Sequence, residues 1–73
     1  MNESAIINTV TTILETNKEN ITLEKDIKDL PNWDSIKNLM IFNTIEEESG
    51  VNFTDEQLAQ VQTLGDIVKI LEG

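Results

Sequence analysis

Very few side chains in this sequence could take part in a covalent reaction, and Ser35 is the one whose setting singles it out. It follows Pro31, Asn32, Trp33 and Asp34 and stands at the head of the apolar run "SIKNLMIF". A serine nucleophile needs a base, and the chain has no histidine. None of the lysines is obviously buried beside a serine. There is no cysteine, so thiolate chemistry, disulfides and zinc sites of the usual ligand type are excluded. Acids are plentiful, but no Asp-x-Asp-x-Asp-Gly calcium loop occurs. Catalysis by this chain alone is not expected.

Two roles for Ser35 fit its position. Serine and aspartate are both strong helix caps, and Asp34-Ser35 directly precedes the apolar helix. With Ser35 as the cap, a capping box would want Glu or Gln at 38, where Asn38 stands. The alternative is a modification site. A serine exposed at a helix N-terminus lies at the positive end of the dipole, which favours an attached phosphate.

The elements that must position Ser35 can be read from periodicity. Ile6, Ile7, Val10, Ile13 and Leu14 recur at helical spacing and predict a helix over 3–15. Residues 16–33 form a long connection in which Ile21, Leu23, Ile27 and Leu30 are scattered at no clean period. A loop this long in so small a domain implies either function or anchoring by those residues. Pro31 marks its end, since Leu30 before it is steered away from helix. A second helix is predicted over 35–49, stopped by Gly50. Thr54 with Gln57 announces a short third helix over 55–61. Thr63 with Asp66 is a weaker signal of the same kind before a fourth helix over 64–72, which carries Leu64, Ile67, Val68 and Leu71. No strand alternation or repeat is present. The expectation is a single all-α domain over residues 1–73, a small four-helix bundle of three longer helices and one short, with a long loop between helices 1 and 2.

The second helix has two apolar features. With Ile36 at zero and about 100° per residue, Ile41, Ile45, Phe42 and Leu39 fall near 140°, 180°, 240° and 300°. They predict a broad core face. Ile36 and Met40 fall near 0° and 40°, pointing outward beside Asn43 and Glu47. An outward apolar pair flanked by acids reads as a partner-binding stripe. Glu46, Glu47 and Glu48 sit near the helix C-terminus, where the dipole prefers cations, which hints at a role other than stability, the alternative being a plain solvated charged face.

The chain has 73 residues, fourteen acids, five lysines and a net charge of −9. Domains this small bury only about 60% of the surface of the unfolded chain. Function through the surface is easier to support than an enclosed active site. The charge would repel a phosphate backbone and anionic membrane surfaces, so nucleic-acid binding is not expected, and no apolar stretch approaches the length needed for membrane insertion. Partners should carry basic patches. "MNESAIINTV" has no basic region followed by an apolar run, and a cytoplasmic monomer is the expectation.

Asp34-Ser35-Ile36 resembles the Asp-Ser-Leu motif of acyl carrier proteins. The wider pattern is similar too: the long first loop, the serine opening the second helix, "IEEESG", then "VNFTDEQL" and "TLGDIVKIL". The resemblance spans essentially the whole chain. It implies a small acidic four-helix bundle whose Ser35 receives 4′-phosphopantetheine from coenzyme A. The thiol of that arm carries acyl or aminoacyl groups as thioesters between enzymes. Asp34 would help a phosphopantetheinyl transferase recognise the site. Ile36 and Met40 would make apolar contacts, and Glu46 and Glu47 electrostatic ones, with acyl- or aminoacyl-activating and transferring enzymes. Lys37 and Met40 stand where carriers of bacterial fatty-acid synthesis tend to be acidic. Trp33-Asp34-Ser35 looks more like carriers of dedicated pathways, such as D-alanyl carriers of cell-wall polymer modification and stand-alone carriers of polyketide, peptide or modified-sugar assembly. The other reading is an acidic helical adaptor that binds basic partners with no prosthetic group, Ser35 then being a mere cap.

Overall fold

In a computed structural model covering residues 1–73, four α-helices follow in chain order: α1 (Glu3–Leu14), α2 (Ser35–Ser49), α3 (Asp55–Gln60) and α4 (Leu64–Glu72). Three are long and α3 is short, as the periodicity predicts. Twelve apolar side chains form one core, drawn from every helix except α3 and from both connections that flank α2. From α1 come Ile6, Val10 and Leu14, and from α2 Ile41 and Ile45. From α4 come Leu64, Ile67 and Val68. Each set keeps an i, i+3 or i+4 spacing, so one stripe per helix faces inward.

The helix ends follow from local chemistry. Asn2 caps α1, its side chain accepting from the Ala5 amide at 2.8 Å. Both capping boxes are present: Thr54 with Gln57 at α3, and Thr63 with Asp66 at α4. Gly50 ends α2 at φ 76°, a left-handed conformation that suits glycine, and its amide reaches the Glu46 carbonyl. Glu15 ends α1 in the same region, at φ 54°, where a side chain is tolerated at a cost.

The long connection is anchored rather than free. It contains two short 3-10 turns, Lys18–Asn20 and Ile27–Asp29, and buries Ile21, Ile27 and Leu30. Its backbone is stitched to the segment before α4 and to the first turn of α4: the Ile27 amide donates to the Gln62 carbonyl, and the Gly65 amide donates to the Leu23 carbonyl. An isolated antiparallel bridge pairs Asp26 with Thr63. Phe53 is buried from the α2–α3 connection and meets Phe42 edge-to-face at 5.6 Å.

One core expectation fails. Leu39, expected on the inward face of α2, is 63% exposed. The face that packs is centred on Ile41 and Ile45, near 160° on the same wheel, which puts Leu39 about 140° away. Phe42, roughly 80° from that centre, is half-buried. The four apolar residues span about 160° of the wheel, and only Ile41 and Ile45 within that arc are fully buried. The actual stripe is narrower.

Candidate functional site

The site begins with the loop that delivers the chain to α2. Leu30 is buried, and the Trp33 amide donates back to the Leu30 carbonyl at 3.3 Å. Between them Asn32 adopts φ 64°, which reverses the backbone direction after Pro31. The half-buried Trp33 packs against the core, and its indole N–H donates to Asn38 Oδ1 at 3.2 Å. Trp33 therefore ties the loop to the first turn of α2.

Asp34 and Ser35 come next, and the structure divides the two capping candidates. Asp34 is the N-cap, with extended φ and ψ of −150° and 175°. Its Oδ1 accepts from the Lys37 amide at 2.7 Å. Ser35 is the first helical residue. It is exposed, and its hydroxyl has no hydrogen-bond partner within the protein. The capping role thus belongs to the aspartate, and the serine oxygen is left free at the positive end of a 15-residue helix.

Beyond Ser35 the outer face of α2 is apolar. Ile36 is 72% exposed and Met40 47% exposed, as the wheel predicts. Leu39 joins them, so the exposed apolar surface is wider than the pair read from the sequence. Leu58, also exposed, adds a further apolar side chain on α3. A cleft between α2 and α3 is lined by Trp33, Asn38, Phe42, Leu58 and Val61, with Asp26, Lys28 and Gln62 at its polar side.

The glutamates at the end of α2 separate into different roles. Glu46 Oε2 accepts from the Phe53 amide at 2.7 Å, so this half-buried carboxylate holds the far end of the α2–α3 connection, just before the cap of α3. Glu48 Oε1 accepts from the Thr9 hydroxyl at 3.0 Å, bridging α2 to α1. Glu47 is exposed. Two of the three acids at a dipole-disfavoured end thus have local partners that account for them.

Lys37 is half-buried, and its Nζ donates to the Asn32 carbonyl at 3.2 Å. Asn32 and Asn38 are site residues that pattern reading missed. Asparagine directly after proline is a turn signal and could have marked Asn32. Nothing in the local pattern marks Asn38, because its partner is an indole brought over by the loop.

Comparison with known proteins agrees with this arrangement. The family described as "Phosphopantetheine attachment site" matches residues 4–71. A curated relative, the acyl carrier protein of Coprothermobacter proteolyticus, is 38% identical over 56 residues, which cover 77% of this chain and 68% of the relative. Members of this family act as carriers and are not themselves catalysts, and they interact with modifying and acyl-handling enzymes. The chain belongs to the acyl carrier protein family: it is a carrier, not an enzyme, and the group it bears is a covalent 4′-phosphopantetheine.

Proposed function

We propose that Ser35 is the attachment residue and that the chain shuttles acyl or aminoacyl thioesters between enzymes of a dedicated biosynthetic pathway. The observation that carries the assignment is the division of labour at the head of α2. Asp34 satisfies the helix end, and Ser35 keeps an exposed, unpartnered hydroxyl. In the transfer, Ser35 Oγ attacks the phosphorus of coenzyme A that bears pantetheine. The pyrophosphate bond breaks, adenosine 3′,5′-bisphosphate leaves, and the serine proton passes to a base on the transferase. The new phosphodiester is anionic and sits where the α2 dipole stabilises it. When bound, the arm supplies the thiol that the chain lacks.

The remaining residues supply the surface. Ile36 and Met40, with Leu39 beside them, offer apolar contacts, and Glu47 offers a free charge to a basic patch. Glu46 contributes charge from a fixed position. Lys37, Met40 and the Trp33-Asp34-Ser35 sequence favour a specialised partner set over that of fatty-acid synthesis, since rim charges tune association and partner choice. The whole of 1–73 acts as one monomeric domain in the cytoplasm in this reading. No helix is long and apolar enough to cross a membrane.

The test is intact mass after incubation with coenzyme A and a broad-specificity phosphopantetheinyl transferase, with Ser35→Ala alongside. A gain of one phosphopantetheine group, absent in the variant, is the expected result. No gain by a folded wild type returns Ser35 to a plain first-turn residue and favours an adaptor without a prosthetic group.

A further inference from the structure

We infer that Asn32 is a positioning residue for the modification of Ser35, an inference that rests on the assignment of that serine as the attachment site. The first buried residue of α2 is Ile41. The six helical residues before it, Ser35 to Met40, are exposed or half-buried. None of these side chains is fully buried, and the packing next to them is the half-buried Trp33 against the core. A free helix end of that kind frays. Polar ties must therefore add to that packing to hold the serine still relative to the surface that a transferase grips.

Asn32 joins the two helix ends across that gap. Its Nδ2 donates to the Leu14 carbonyl at 3.0 Å, one of the last-turn acceptors of α1 that the helix itself cannot satisfy. Its own carbonyl accepts from Lys37 Nζ at 3.2 Å, on the first turn of α2. Glycine would adopt φ 64° at less cost. What asparagine adds is the amide that reaches α1. The other ties on this approach are the Trp33–Leu30 backbone bond and the Trp33–Asn38 side-chain bond. Both stay within the loop and the head of α2, so neither anchors them to α1.

The experiment compares transferase kinetics of the full chain as wild type, Asn32→Gly and Lys37→Met, with Val68→Ala as a destabilised control whose change lies in α4. Trp33 is the only tryptophan, so its fluorescence anisotropy reports the loop directly. Circular dichroism fixes a temperature at which every variant is folded. In Asn32→Gly the expected results are a roughly tenfold fall in kcat, a carrier KM within about twofold of wild type, and faster local motion of Trp33. Lys37→Met should show a smaller fall in kcat. Val68→Ala should be modified at the wild-type rate. A wild-type kcat in Asn32→Gly overturns the inference, as does an equal loss in Val68→Ala, which would make stability the cause. If Ser35→Ala is still modified, the attachment assignment fails and the inference falls with it.

Discussion

Asp34 and Ser35 are neighbours with opposite dependencies, and substitutions at the two positions separate structure from chemistry. Asp34 Oδ1 takes the Lys37 amide at 2.7 Å, a charge-assisted bond on a group that the helix leaves unpaired. Replacing an N-cap aspartate by alanine costs about 1 kcal/mol, within a range of roughly 0.5–2. Losing the negative charge at the helix N-terminus accounts for roughly 0.3–1 kcal/mol. In a domain of this size, 1 kcal/mol moves the melting temperature by about 4–8 °C. Asp34→Ala should therefore melt several degrees lower. Asp34→Asn keeps a good cap and loses only the charge, so its loss should stay under about 1 kcal/mol. Ser35→Ala removes an exposed hydroxyl that bonds to nothing, so its change should stay within about 0.5 kcal/mol. The assay is urea and thermal unfolding of the unmodified proteins by far-ultraviolet circular dichroism, followed by intact mass after the transferase reaction. Asp34→Asn that is stable yet poorly modified would assign the carboxylate to recognition. A Ser35→Ala loss as large as that of Asp34→Ala would refute the division of roles, because the serine would then be holding the helix.

Other perturbations test the surrounding frame. Glu46→Ala strips the Phe53 amide of its acceptor and should cost roughly 1–3 kcal/mol in urea unfolding, whereas Glu47→Ala should leave the midpoint unchanged and weaken only binding to a basic partner, seen as a loss of salt dependence. Gly65→Val should destabilise by about 1–3 kcal/mol, because a Cβ at Gly65 would lie 3.1 Å from the Leu23 carbonyl that this residue's amide donates to; a neutral melt would mean that the loop yields freely. The amides of Gln62 and Thr63, with smaller help from the Thr63 hydroxyl and Lys69, hold the Asp66 carboxyl below its ordinary value of 3.8. A lowered folded-state value makes the charged form stabilising above pH 3.8, and that contribution is lost as pH falls through the folded-state value. The unfolding midpoint of Asp66→Asn should therefore fall less steeply than wild type on acidification below that point, and parallel pH profiles would contradict it.

Much of this protein was legible without coordinates because its signals are local. The helix of 35–49, the stop at Gly50 and the two Thr-initiated boxes depend on residues within a turn of one another, and all recur in the structure. The outward pair Ile36 and Met40 was legible for the same reason, as were the carrier pattern around Ser35 and the lack of catalytic side chains. Leu39 was misplaced because a helical wheel ranks positions but cannot say how wide the buried arc is. That width depends on how closely α1 and the loop approach. The other decisions belong to tertiary structure. Which of Asp34 and Ser35 caps α2 turns on one backbone conformation, set where the loop arrives. The loop's path is set by Ile21, Ile27 and Leu30 entering a core whose other members lie far away in sequence. Glu46 on Phe53, Trp33 on Asn38 and Asn32 on Leu14 are bonds between groups that no spacing rule connects. The sequence by itself determined the helices and the family. Only the packed chain decided which of its polar groups are spent on structure and which, like the Ser35 hydroxyl, are left without a partner, because that choice depends on partners supplied from elsewhere in the fold.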